Sequence, residues 1–517
     1  MYDLIIKGGS VIDGTGKPAY IADVAINDGK IVSIKSGIEG GLKVIDANGL
    51  TVTPGFIDSH SHADSKILYC PEQREKIEQG ITTSVSGQCG GSVVPVGKNT
   101  LKDKLESVTP FGLLGDVCNS FESLYDSLEK GSLGANFLCF IGHGTIRRAV
   151  IGVDDRAPSS AELEEMKTIL RNAFEQGAAG LSFGLFYSPG CYADTAEALA
   201  LAKVAKEYNR PVSAHIRTES DGLVDATMEF IKIVRESGCR GILSHHKAVQ
   251  HRNWGKVNTT LQLLQEAVDE GVDIYCDVYP YCASSTKFSQ AFVPNSWRGG
   301  GTQELIKRIC DPALNEQNKK AYYETHSRDS SWILLAFCPC RKEFEGMTLD
   351  KIANILNMDP YDAAMKLIVD SNDRCNACFF SVSEDDLKRV MSWNRAMICT
   401  DSGMAYSSTK FHPRMVGSFP RAIGRYVRQH EVVSLEEMIR KMTSLPASVY
   451  ELEGKGLLKE GYDADICIFD ANKLIDNADF QNCSERAEGL NYVLLAGHIV
   501  VENATHSGAM YGKVICK

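Results

Sequence analysis

Apolar and polar positions follow a short period at both ends of this chain and a mixed, longer one between them. Residues 1–52 predict short strands at Leu4–Lys7, Ser10–Asp13, Ala22–Ile26, Ile31–Ile34 and Val44–Asp46. The turn pairs Asp13-Gly14, Asp28-Gly29 and Asn48-Gly49 punctuate them. Residues 456–517 show the same style, with strands expected at Ala464–Phe469, Tyr492–Leu495 and His498–Val501. Neither end carries enough strands for a stable sheet of its own. The pattern therefore predicts one small β-domain, a sandwich or barrel, made from residues 1–52 and 451–517, with residues 53–450 inserted between.

The middle alternates strand and helix. Ser159 with Glu162 three residues later forms a capping-box pattern, and Leu163, Met166, Leu170 and Ala173 follow at helical spacing until Gly177. Strands are expected at Gly55–His60, Ile81–Ser86, Ala135–Ile141, Ala179–Phe186, Val212–His215, Gly241–His245, Val272–Tyr279 and Ala396–Thr400. Several of these recur at about 30 residues, the size of a strand-helix-strand unit. Eight buried parallel strands with intervening helices argue for an α/β fold of the closed (β/α)₈ TIM-like kind. Residues 288–345 break the repeat and read as an insertion between the seventh and eighth strands.

In such a barrel the C-terminal ends of the strands carry the chemistry. The first strand ends His60-Ser61-His62, and alternation along an extended chain lets both imidazoles face the barrel mouth. The second ends Gly87-Gln88-Cys89-Gly90-Gly91, the fifth in His215, the sixth in His245-His246-Lys247, and the eighth in Asp401. A single histidine at a strand end is more often a packing residue than a ligand, and a cysteine in a glycine turn is usually just small. An aspartate there often caps the next helix. Five such ends on one rim make those separate explanations hard to hold together. Imidazole and thiolate suit zinc, while the Asp401 carboxylate is open to a second metal or to proton transfer.

Charge and composition narrow the field. The chain has 517 residues, 66 acidic against 55 basic and interspersed, for a net charge of −11, so no basic stripe points to nucleic acid. No apolar run approaches the ~20 residues of a membrane span. The N-terminus reads as a first strand, not a signal peptide. The 17 cysteines are odd in number and lack framework spacing, and Cys338-Pro339-Cys340 is tighter than the usual Cys-x-x-Cys. Reduced thiols and a cytoplasmic setting are expected.

Several motifs together resemble the amidohydrolase superfamily and, within it, the D-aminoacylase (N-acyl-D-amino-acid deacylase) family. They are Asp3–Gly9 with Val11–Gly16, Pro54–Asp58 leading to the histidine pair, Gly142–Arg147, Ser244–Lys247 with Asn253–Gly255, Asp277–Tyr281, and His412–Arg414 with Gly417–Arg421. The resemblance spans nearly the whole chain. It implies a tightly held Zn²⁺ on Cys89, His215 and His245, with His60, His62 and Asp401 forming an adjacent, weaker or optional metal position. Many relatives bridge two metals with a carboxylated lysine on the fourth strand; Gly180–Phe186 has none, which argues against a hydantoinase or dihydroorotase. Of His245 and His246, alternation makes the first the ligand. Gln88, Ala63 and Ala248–Arg252 depart from the family pattern and bear on substrate preference rather than reaction.

The expected reaction is hydrolysis of a linear N-acyl-D-amino acid, with Asp401 as general base and acid; the D preference comes from the resemblance alone. Arg414 offers a two-pronged donor for a substrate carboxylate and Lys247 a point charge. Tyr279 and Ser285 resemble the family's remaining carboxylate-binding positions. His60 and His62 are open to holding a second metal or to donating to the developing oxyanion. The alternatives are a cyclic-amide hydrolase or deaminase on the same barrel and a metal-free scaffold, the latter disfavoured by six competent ligand positions. A small molecule is the expected partner, and the oligomeric state is left open.

Overall fold

The computed structural model describes residues 1–95, 118–404 and 410–517. Its centre is an α/β, TIM-barrel-like array of eight parallel strands: β1 Phe56–Asp58, β2 Ile81–Ser86, β3 Asn136–Cys139, β4 Leu181–Gly184, β5 Val212–His215, β6 Gly241–Leu243, β7 Ile274–Val278 and β8 Ala396–Ile398. β1, β2 and β3 pair in that order, and so do β4 through β8. Ile141–Gly142, just beyond β3, pairs with β4 and joins the two sets. The ring closes where Ser61 bridges Ser402 in parallel and the Asp401 N–H donates to the His60 carbonyl at 2.9 Å.

Nearly every residue of these strands is buried. That is why their sequences read as apolar runs without alternation. Amphipathic helices close the outside. The helix Ser160–Glu175 starts at the expected capping box, with the Glu162 N–H donating to the Ser159 side chain, and buries Met166, Leu170 and Ala173.

Strands from the two termini share one sheet. Its order is Thr505–His506, His498–Glu502, Leu490–Leu495, Ile466–Phe469, Thr51–Pro54, Tyr2–Val11, Tyr20–Asn27 and Lys30–Lys35, with Gly41–Asp46 pairing Tyr2–Val11. The antiparallel register of Ile466–Phe469 on Thr51–Pro54 joins the two ends, and Leu4, Ile6, Val24, Ile26, Ile466 and Leu494 pack on one face. Thr51–Pro54 runs through Gly55 straight into β1, so this sheet sets the approach of the first barrel strand. The tail differs from expectation. Residues 512–515 pair beside β3 rather than in the terminal sheet, with Phe137 N–H donating to the Lys513 carbonyl, because Ile515 finds apolar cover under the barrel.

Between β7 and β8 stands a unit with its own core. Strands Ser284–Lys287, Asn376–Phe379 and Ile333–Phe337 form an antiparallel sheet, the middle one being Asn376–Phe379. Phe288, Phe292, Leu305, Ile333, Tyr361 and Ile368 fill its interior. It is wider than the expected 288–345, reaching from Ser284 to Phe379. The helices Leu349–Leu356 and Pro360–Asp370 are amphipathic like barrel helices, yet their apolar faces serve this second core. Cys375 also joins Cys338 and Cys340 here, at Sγ–Sγ distances of 3.1 Å and 3.5 Å along the chain of three.

Candidate active site

The rim at the C-terminal ends of the barrel strands gathers all six expected ligands. Beyond β1 the chain bends at Ser59 and His60 and is then held just past β8, where Ser61 bridges Ser402 and the His62 N–H donates to the Ser402 carbonyl at 3.0 Å. Beneath it Lys76, fully buried, donates to Asp58 Oδ2 (3.0 Å), Thr400 Oγ1 (2.7 Å) and the Ser402 carbonyl (2.9 Å). A buried ammonium with this many acceptors ties the ends of β1 and β8 together. It thereby fixes His60, His62 and Asp401 relative to one another.

Cys89 sits on a tight turn after β2. Ser182 of β4 secures that turn from both sides, accepting the Gly90 N–H at 3.1 Å and donating to the Gly87 carbonyl at 2.6 Å. The turn touches β4 so closely that a Cβ on Gly184 would lie 2.0 Å from the Cys89 carbonyl oxygen, so only glycine fits there. Cys89, His245 and Asp401 all have positive φ, at 54°, 37° and 47°. Such backbone costs about 1–3 kcal/mol for a non-glycine residue and survives only where the surroundings impose it. Three of the six expected ligand positions carry it.

The donor atoms converge. Cys89 Sγ lies 3.3 Å from His60 Nε2, 3.3 Å from His245 Nε2 and 3.7 Å from His215 Nδ1. Asp401 Oδ1 lies 3.1 Å from His62 Nε2 and 3.5 Å from His60 Nε2. One donor atom each from His60, Cys89, His245 and Asp401 all fall within 4.8 Å of one another, and His215, Glu219 and His245 form a second such group. His246 points away, with Nε2 2.8 Å from Thr260 Oγ1.

Burial opposes charge throughout, and the neighbours outweigh it. The Cys89 thiol is held well below its usual range against that burial, by His60 and His245. Burial works against the imidazolium of His60, but Asp277 and Cys89 raise its pKa well above the ordinary value. Burial also opposes ionisation of Asp401, which Arg414 and His245 hold well below the carboxylate range. His215, by contrast, is lowered by burial and by His245. A thiolate and a carboxylate ringed by imidazoles form a well for positive charge.

Two carboxylates absent from the expected set orient this ring. Asp277 of β7 places Oδ2 3.3 Å from His60 Nδ1 and accepts the His245 N–H on Oδ1 at 2.6 Å. Glu219 Oε1 lies 2.9 Å from His245 Nδ1 and accepts from Lys247 Nζ at 2.6 Å. Asp277 is the one charged residue of β7, but the expected strand Val272–Tyr279 also holds Asp273, so the sequence alone does not single it out. Glu219 sits on a loop four residues after His215, where no periodicity marks it.

A cavity of about 260 Å³ opens on the His215, His245 and Asp401 side of this cluster. Lys247, Tyr279, Ser285 and Arg414 all line it, together with His215, His245 and Asp401. Lys247 and Arg414 flank the Tyr279 ring at 5.3 Å and 4.6 Å from its centroid, and the buried Tyr279 hydroxyl has no hydrogen-bond partner among the described residues. Arg414 Nη1 also donates to Asp401 Oδ2 at 2.6 Å, a contact the sequence did not announce.

Comparison with known proteins fits this geometry. Residues 43–313 and 400–501 match the model of the amidohydrolase family. The N-acyl-D-glutamate deacylase of Alcaligenes xylosoxydans xylosoxydans is 33% identical over 510 residues, covering 98% of this chain and 95% of that protein. The D-aminoacylase of the same organism is 30% identical over 517 residues, covering 100% and 98%. The crystal structure of N-acyl-D-glutamate deacylase from Bordetella bronchiseptica, with zinc and a phosphonate inhibitor mimicking the tetrahedral intermediate, superposes with a TM-score of 0.86 at 32% identity over 100% of both chains. Matched over most of its length by the family model and end to end by these deacylases, the chain belongs to the amidohydrolase family, on its D-aminoacylase branch.

Proposed function

We propose that this protein hydrolyses the amide bond of N-acyl-D-amino acids, releasing a carboxylate and the free D-amino acid. The observation that carries this reading is one cavity lined by His215, His245 and Asp401 of the thiol, imidazole and carboxylate cluster, with two cations around Tyr279 on its wall. The donor set fits zinc, with Cys89, His215 and His245 as the tight ligands and His60, His62 and Asp401 beside them for a weaker second ion. Bound there, zinc supplies Lewis acidity, polarising a carbonyl and bringing a water's pKa to about 7.

The chain's own groups do the rest. Asp401 takes a proton from the attacking water and returns it to the nitrogen as the C–N bond breaks, so the amine leaves neutral. Glu219 and Asp277 hold the His245 and His60 rings in one orientation. Lys247, Arg414, Tyr279 and Ser285 receive the substrate's α-carboxylate and set the scissile amide over the cluster. The sheet of residues 1–52 and the C-terminal strands serves as a small β-domain that braces β1. No helix among the described residues is long and apolar enough to cross a membrane. All 17 cysteines lack a disulfide partner, and we place the enzyme in the cytoplasm on that basis.

A racemic panel of N-acetyl amino acids with chiral analysis of the products tests the reaction. Free D-amino acid with the L-substrate left intact is expected; turnover of hydantoin or dihydroorotate instead, or ammonia release, overturns it. Arg414→Ala tests the carboxylate clamp. KM for the preferred N-acetyl-D-amino acid should rise about 30-fold or more, the low end of what truncating a buried charge partner costs. The corresponding N-acetyl amine without the carboxylate should show a much smaller rise, and equal rises on both remove Arg414 from this role.

A further inference from the structure

The chemistry above leaves unused the three thiols gathered at one end of the insertion's sheet. We infer that Cys338, Cys340 and Cys375 form a separate metal site, an all-sulphur, three-coordinate seat for one thiophilic cation, fitted to Cu(I).

The fold brings these residues together by two independent routes. Phe337 pairs with Asn376 at the end of the antiparallel ladder, so the next residue out on each strand, Cys338 and Cys375, stand opposite one another. Their sulphurs lie 3.1 Å apart. Pro339, with φ restricted to about −65° as in any proline, then turns the chain back. That turn returns Cys340 Sγ to 3.5 Å from Cys338 Sγ. All three sulphurs fall within 4.8 Å of one another. The turn is held from outside as well. The Cys338 N–H donates to Glu345 Oε1 at 2.9 Å, and the Cys338 carbonyl accepts the Arg341 N–H at 3.2 Å.

A cysteine in a core is ordinarily a small apolar residue, and such a residue needs no second thiol beside it. Here three of 17 scattered cysteines converge. Among the described residues, no other group of three or more metal-ligand side chains at this spacing lies apart from the active site. Cys338 and Cys375 are buried and Cys340 is exposed, so two ligands wait inside and the third stands at the mouth.

The donor set selects the ion. Thiolates favour Cu(I), zinc and iron–sulphur clusters. Structural zinc almost always closes its tetrahedron with a fourth protein ligand, and iron–sulphur clusters take four cysteines. No imidazole or carboxylate joins these three sulphurs. Cu(I) is the member of that series satisfied by three thiolates. A metal–sulphur bond of about 2.3 Å puts three coplanar sulphurs about 4 Å apart, so the closest pair has to open by about 1 Å or less. Each thiol gives its proton to solvent as the ion enters. The ion would then clamp the ends of Ile333–Phe337 and Asn376–Phe379.

The test uses the zinc-loaded full-length enzyme, anaerobic and reduced, given a slight excess of Cu(I) and then desalted. One copper retained per chain with no loss of zinc is expected. X-ray absorption at the copper edge should show sulphur ligands without the imidazole that the active-site cluster would supply. Cys340→Ser, at the exposed ligand where folding is least at risk, should weaken Cu(I) binding at least about 100-fold, since a ligand is worth more than the partners around it. Amide hydrolysis by that variant should be unchanged. Cys310→Ser, at an exposed thiol outside the group, should keep the copper. Failure to retain copper, imidazole in its shell, or undiminished binding in Cys340→Ser overturns the site. Zinc held on the same thiols as tightly as copper overturns the three-coordinate assignment. A Cys338–Cys375 disulfide in protein purified under reductant also overturns it, because two of the three ligands are then spent.

Discussion

Cys89→Ala should yield a folded protein that has lost its tightly bound metal and, with it, amide hydrolysis. Cys89 Sγ is the hub of the cluster, within 3.7 Å of His60, His215 and His245. Removing it takes away the thiolate that lies against all three imidazoles and leaves Asp401 as the only anion of that four-residue group. The expected loss in metal affinity exceeds the 10–100-fold that follows from disturbing outer-shell partners alone. Metal content per chain, measured after dialysis, and turnover of the preferred substrate check this together. The fold should survive, because alanine keeps the Cβ that the turn already accommodates and the strained φ of 54° is held by Ser182 and the flanking glycines. Cys310→Ala, at an exposed position remote from the cluster, should change neither readout. Full metal content with wild-type turnover in Cys89→Ala would remove the hub role.

How much of this was legible beforehand depends on what kind of signal each residue carries. The eight strands and the candidate ligands at their ends announce themselves, because a side chain of metal-binding type closing an apolar run is visible without any knowledge of the fold. His60 and His62 add the two-residue spacing that an extended chain needs to aim both the same way. Lys76 could not be found like this. It lies on the short helix Arg74–Ile77, and its worth comes from acceptors on Asp58 at the end of β1 and on Thr400 and Ser402 just past β8, more than 300 residues away. Glu219 is equally silent, since a loop glutamate resembles every solvated one until His245 and Lys247 are seen beside it. The insertion was recognised by the failure of a repeat but cut short at residue 345, because the amphipathic helices at Leu349–Leu356 and Pro360–Asp370 look the same whichever core they cover. Pattern reports that a face is apolar; it does not report which neighbour meets it.

Asp401→Asn should lower kcat by about 10²–10⁴, the usual worth of a positioned acid–base group, with KM changed little. Asparagine keeps the shape and still offers an oxygen toward His62 and His60, but its amide neither accepts the proton of a water nor returns one to the leaving nitrogen. The tight metal should stay, because Cys89, His215 and His245 are untouched; metal analysis of the variant separates this from ligand loss. The Arg414 contact adds a second discriminating outcome. Asp401 Oδ2 accepts from Arg414 Nη1 at 2.6 Å, so a purely positional role for Asp401 would appear as a rise in KM as the clamp loosens, with kcat nearly kept. A kcat within about tenfold of wild type lies below what a general base supplies and would assign proton transfer elsewhere in the ring. The two quantities move independently, since one reads how the carboxylate is held and the other where the proton goes. That independence is what makes a single substitution at the crossing of the two networks decisive.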